Sequence, residues 1–201
     1  MKPKFNLLAL CLILAILDLS CSNDSGMSSN VLPFTVSGRL VQVSQQEIPS
    51  DAEIVVAWDV GGSPDYVYIF GKGTIVKNAG TFSISFDGNP PARALTGGVL
   101  GVGFVLITNK GAFSNNEEFT EVPTENILGA AANYGVIFVN ESPNKAAADM
   151  ERDWLKSFKS GYNVGKGIKI PDDFDGFEPV DPTTVEVIID DLDNLEFVNW
   201  T

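Results

Sequence analysis

The chain of 201 residues contains no histidine. That single absence removes Ser-His-Asp and Cys-His catalysis, the usual general base near neutral pH and the commonest transition-metal ligand. Cysteine is almost as scarce: only Cys11 and Cys21 occur, both near the amino terminus. The region beyond them has neither disulfides nor thiolate zinc sites available to it. It has to be held by an apolar core, and roughly 180 residues suffice for one, burying about 70% of the unfolded chain's surface. Cations are in deficit, with 13 Lys and Arg against 26 Asp and Glu and a net charge of −13. Pro171 to Thr201 carries ten acids and no Lys or Arg. Nucleic acid is therefore not an expected partner, since its binding depends on cations that neutralise phosphate. Such an acidic surface favours solubility and is repelled by anionic lipid. Long apolar runs are missing too, and nothing reaches the roughly 20 residues of a spanning helix.

What is present begins with Lys2 and Lys4, the apolar run Phe5 to Leu17 broken only by Asn6, and then a polar stretch of Ser, Asn, Asp and Gly. That order is the order of a secretory signal peptide. Leu17, Leu19, Ser20 and Cys21 resemble the lipobox of bacterial lipoproteins, with one departure: Asp18 stands three positions before the cysteine, where the family places an aliphatic residue. The resemblance implies that residues 1–20 are removed and that Cys21 becomes the first mature residue and carries acyl chains. Ser22, by the same likeness, is compatible with transfer to the outer membrane. Several chains give durable attachment where one does not, because each buried methylene contributes about 0.8 kcal/mol. Residues 21–32 would then be the lipidated cysteine and a flexible tether, and residues 33–201 one folded domain. The alternative is ordinary cleavage at the small residues Ser20 and Ser22, which releases a free secreted protein.

Beyond the tether, short β-branched and aromatic runs alternate with Gly, Pro, Asn and Asp. Strands are expected over Phe34–Ser44, Glu53–Val60, Tyr66–Phe70, Gly73–Val76, Gly80–Phe86, Val99–Thr108, Tyr134–Asn140, Thr184–Ile189 and Leu195–Trp200. In the fifth, Phe82, Ile84 and Phe86 alternate with Thr81, Ser83 and Ser85, giving one apolar and one hydroxyl-bearing face. Val99–Thr108 is apolar throughout, as a central strand covered on both faces would be. Ala147, Met150, Trp154 and Phe158 recur at helical spacing after Ser142 and predict one amphipathic helix over Lys145–Lys159, capped by Ser142 and ended by Gly161. The pattern reads as an all-β chain, mainly an antiparallel sandwich, with that helix inserted. Val36–Leu40 (VSGRL), Glu53–Trp58 (EIVVAW) and Gly80–Phe86 (GTFSISF) resemble the transthyretin-like or carboxypeptidase-regulatory-like modules of exported bacterial proteins, with the stretch Gly61–Lys77 interrupting their usual order. The resemblance implies a sandwich and leaves function open.

Few motifs carry chemistry. Ser142-Pro143-Asn144-Lys145 matches the S-x-x-K of penicillin-binding enzymes, and Ser114-Asn115-Asn116 and Lys159-Ser160-Gly161 echo its companions, but in the wrong order. Gly71-Lys72-Gly73-Thr74 lacks the Ser or Thr that a phosphate loop needs directly after Lys, and Gly97–Gly103 runs into a strand. Asp172, Asp173, Asp175 and Glu178 are candidate calcium ligands in the densest oxygen cluster, although Pro171 and Pro182 occupy the first and twelfth positions of the corresponding EF-hand loop. Trp58, Tyr66 and Tyr68 are candidates for stacking on a sugar. Taken together, these observations lead to a lipid-anchored protein of the bacterial cell envelope, held to the membrane through acyl chains. It is expected to act as a non-catalytic binding or structural module toward envelope proteins or glycans, with no resident cofactor and no enzyme activity. A carbohydrate-binding or carbohydrate-hydrolysing protein and a calcium-dependent adhesion module are the alternatives.

Overall fold

Strands with one apolar face need a second surface to bury it. In a computed structural model of the chain, the described residues are 34–42, 48–60, 68–72, 74–75, 80–86, 88–120, 124–167 and 176–189. Among them are β1 (Phe34–Gln42), β2 (Glu53–Asp59), β3 (Tyr68–Lys72), β4 (Thr74–Ile75), β5 (Thr81–Phe86), β6 (Leu100–Thr108), β7 (Glu117–Phe119), β8 (Ile127–Val139), β9 (Gly161–Gly167), β10 (Phe177–Pro179) and β11 (Val185–Ile189). One short helix, α1 (Pro143–Asp149), lies between β8 and β9. The fold is mainly all-β.

The strands form a small sheet ordered β11-β1-β5-β4 and a large one ordered β10-β9-β8-β6-β2-β3-β7. All pairs are antiparallel except β1–β11, where the last described strand runs parallel to the first. The smaller sheet is thus mixed. β5 has the burial expected of it: Phe82, Ile84 and Phe86 are buried, while Thr81, Ser83 and Ser85 face outward, where Ser85 and Ser83 meet the hydroxyls of Thr35 and Ser37 on β1. β6 stands fourth of seven and is buried at every residue.

Alternation on β2 explains how the core is divided. Ile54, Val56 and Trp58 enter an apolar cluster together with Val36, Phe82 and Ile84 of the small sheet, so both sheets feed one core. Val55 and Ala57 point to the opposite, outer face of the large sheet. Aromatic rings join the two layers: Tyr162 on β9 lies 5.0 Å from Phe86 and 4.9 Å from Phe138, centroid to centroid. The Tyr162 hydroxyl donates to the Gly88 carbonyl at 2.5 Å, satisfying the polar tip of an otherwise apolar residue, and burial pushes its phenol above the usual range.

Glycines in these strands leave room for aromatics. Trp58 lies over Gly101 and Gly103 on β6 and beside Gly71 on β3, where a Cβ on Gly103 would meet Val56 at 2.4 Å and the indole at 2.9 Å. Phe177 packs in the same way against Gly135, Gly165 and Gly167. This contact accounts for β9, whose sequence GYNVGKG carries little strand propensity and predicts no strand. The first half of β8 (ILGAAAN) is unexpected for the same reason. Its pairing with β6 is irregular there, with Val105 alone standing against residues 131–134.

The predicted helix over Lys145–Lys159 is corrected: α1 covers Pro143–Asp149 only, and Asp153–Ser157 forms a separate 3-10 turn. The break is a left-handed helix stop. Glu151 has φ of 56°, its N–H donates to the Ala148 carbonyl, and the Arg152 N–H donates to the Ala147 carbonyl at 2.8 Å. Breaking the helix lets Ala146, Ala147, Leu155 and Phe158 all reach the outer face of the large sheet. Ser142 occupies the position before the helix but makes no side-chain capping bond.

Two outcomes follow from this geometry, both measurable by urea denaturation. Gly103→Ala is expected to destabilise the fold by about 1–3 kcal/mol, because the core around Trp58 has no space for the methyl, whereas Gly88→Ala, with nothing within 4 Å, stays within about 0.5 kcal/mol of the parent. Glu151→Gly is expected to stabilise by up to about 1 kcal/mol, since glycine takes the left-handed conformation without the steric cost of a Cβ.

Candidate functional site

The outer face of the large sheet is covered in two pieces. Leu100, Val102, Phe104, Ile137 and Val139 lie beneath the segment that includes α1 and the following 3-10 turn. Val55, Ala57, Leu106, Ile127 and Ala130 pack instead with Phe113, against which the Phe119 ring stands edge-on at 5.5 Å. Asp59 belongs to the boundary between these covers. It follows Val55 and Ala57 in the outward alternation of β2, one step beyond the Trp58–Gly103 pair, and is matched in register by Tyr68 on β3, which pairs in turn with Phe119 on β7.

The Asp59 carboxyl is half-buried, and among the described residues no hydrogen bond reaches it. Burial pushes it up to about 6, while the guanidinium of Arg152 pulls in the opposite direction. Arg152 is the residue immediately after the left-handed Glu151, so the helix stop carries it toward the sheet. The chain has three arginines. Arg39 is ion-paired with Glu186, and Arg93 donates to Glu118, with one contact at 2.6 Å. Arg152 forms no ion pair among the described residues, although Asp59 feels its charge. A desolvated carboxylate and a guanidinium, each without a contact partner, form an arrangement that can accept and donate hydrogen bonds at once.

Other residues singled out by sequence fall elsewhere. Trp58 is corrected: it is 2% exposed and forms part of the core, so it offers no ring to a ligand. Tyr66 lies outside the described residues, and of Tyr68 only the backbone position on β3 is described. Cys21 and the calcium candidates Asp172, Asp173 and Asp175 also lie outside them, while Glu178 is exposed on β10 opposite Lys166. Among the described residues no three metal-ligating side chains cluster. The Ser142–Lys145 pair is on α1, but the Lys145 ammonium is held by Glu141 at 2.5 Å and Asp149 at 2.9 Å. Both carboxylates raise its proton affinity, the reverse of what a general base requires. Ser114 lies beside Phe113 in the other cover of the outer face. Gly97 and Gly98, at φ of 59° and 75°, form a tight turn closed by the Val99 N–H on the Thr96 carbonyl at 3.0 Å, and Gly101 and Gly103 seat Trp58.

Asp59 and Arg152 escaped the sequence reading. The available signal was an acid ending the apolar run EIVVAW, in phase with its outward positions, but nothing local pairs it with a residue 93 positions later. No described helix is long and apolar enough to cross a membrane. No protein-family model, curated protein or solved structure matches the chain.

The raised Asp59 value fixes the sign of a pH effect. The folded state favours the protonated acid, so this contribution to stability is fully present below the ordinary value of 3.8 and is lost as pH rises through about 6. Asp59→Asn is therefore expected to stabilise the fold by about 1–2 kcal/mol at neutral pH, the gain fading to nothing below about pH 4. Denaturant titrations of both proteins across that interval measure it; a gain that persists in acid would contradict the assignment.

Proposed function

We propose that the chain is a lipid-anchored protein of the bacterial cell envelope, held at the outer membrane by acyl chains on Cys21, whose β domain is a non-catalytic binding module. The observation that carries the anchoring is Cys21 itself, a cysteine directly after an apolar segment with a cationic start, in a chain with no other cysteine beyond the segment. Residues 21–32 are polar and short enough to keep the domain near the bilayer while leaving it free to reorient. In support of binding over catalysis, the chain has no imidazole and the ammonium in its one S-x-x-K match is tied up by two carboxylates. The half-buried Asp59 facing Arg152 supplies polar groups of the kind that orient a ligand.

Mass spectrometry of the amino-terminal peptide from detergent-extracted cells tests the anchor. The expected product begins at Cys21 and carries acyl mass, and Cys21→Ser moves the protein out of the membrane fraction. A mature protein beginning with a free amino group on Asn23 would refute lipidation.

A further inference from the structure

We propose that Asp59 and Arg152 form a binding site for an α-amino-acid end group, in which Asp59 accepts hydrogen bonds from the ligand's ammonium and Arg152 donates to its carboxylate. The proposal builds on the reading of the domain as a binding module and names the ligand class.

The two residues are brought together by tertiary structure alone, one at the end of β2 and the other at the helix stop after α1. Their charges are opposite, and neither makes an ion pair or a side-chain hydrogen bond among the described residues, although the other two arginines both meet a glutamate. Arg152 is not presented by an idle loop. The residue before it holds a left-handed conformation that non-glycine residues adopt at a cost, and strain of this kind collects at ligand clamps. The surroundings are apolar: Val102 is 9% exposed on β6, and Met150, half-buried, reaches to within 3.7 Å of the position a Cβ on Gly97 would take.

The chemistry narrows what fits. A divalent cation would meet one carboxylate and a repelling guanidinium, and no further ligands cluster among the described residues. A simple anion would be repelled by Asp59 and by a net charge of −13. A neutral polyol can hydrogen-bond both groups but brings no charge to compensate either one as water leaves. A ligand with an ammonium and a carboxylate on one carbon compensates both at once through charge-assisted hydrogen bonds, and an aliphatic side chain would lie over Val102 and Met150.

The test is an NMR titration of the full mature chain with L-leucine, with 3-methylbutylamine (no carboxylate), with 4-methylpentanoate (no ammonium) and with methyl α-glucoside. L-Leucine is expected to shift the amides of residues 57–59 and 150–153 saturably, and each singly charged analogue to bind at least about tenfold more weakly. Asp59→Asn and Arg152→Met should each weaken leucine binding by about tenfold or more, leaving the rest of the spectrum unchanged. Four results would each overturn the proposal: no saturable shift with leucine, an analogue that matches leucine, saturation of the same amides by the glucoside, or leucine binding unaffected by both substitutions. The analogue comparison uses the unaltered chain and stands even if a variant fails to fold. Acylated Cys21 without leucine binding would remove this ligand class and keep the envelope protein; leucine binding by a chain that begins at Asn23 would do the reverse.

Discussion

The placement of Trp58 against strand glycines is the contact on which the remaining geometry depends. An indole laid across two neighbouring strands needs positions there without a Cβ, and Gly71, Gly101 and Gly103 provide them. Burial of so large a side chain contributes on the order of 3–5 kcal/mol relative to its removal, enough to hold one register of β2 against slippage. A slip by one residue would expose Trp58 and turn Asp59 into the core. With the register held, Asp59 is obliged to face outward, and the position of the candidate site is set by a residue that takes no part in it.

A second constraint comes from the covers on the outer face. A seven-stranded sheet with a fully apolar central strand cannot leave both faces wet, and the chain closes the outer one with two separate segments rather than one long helix. One segment is broken at Glu151, which allows its apolar residues to follow the sheet and turns Arg152 toward β2. The boundary between the covers is where a carboxylate can be partly desolvated without being sealed in. The same packing that stabilises the domain therefore produces its one described carboxylate with raised proton affinity.

Charge gives this arrangement its setting. Acids outnumber cations two to one, so most carboxylates are solvated and carry little information. Cations are the scarce partners, and their use is telling: Lys145 and Lys156 hold local helix and turn contacts, and Arg39 and Arg93 link strands or neighbouring segments through exposed pairs worth little individually. Arg152 is set apart by having an acid opposite it and no direct contact. A domain with that feature, joined through a polar tether to acyl chains, would meet small ligands at the cell surface or in the periplasm without needing a reactive group of its own.

Much of the fold was legible in the chain because period-two alternation is a local property: β1, β2, β5 and β6 lie close to where FTVSGRL, EIVVAW, TFSISF and VLGVGFVLIT place them. The strands that were not legible, β9 and the first half of β8, are rich in glycine and alanine and exist because Phe177 and β6 pack against them from far along the sequence. The helix was mis-sized because its spacing continues past a stop that only backbone hydrogen bonds reveal. Trp58 looked like a surface aromatic until its glycine seats were placed beside it. The sequence by itself determined the class of fold, the missing catalytic groups and the expectation of a lipid anchor, all of which follow from composition and from neighbours a few residues apart. Only the tertiary structure decided that Asp59 meets Arg152, because desolvation and charge proximity depend on distances in space that no local pattern encodes.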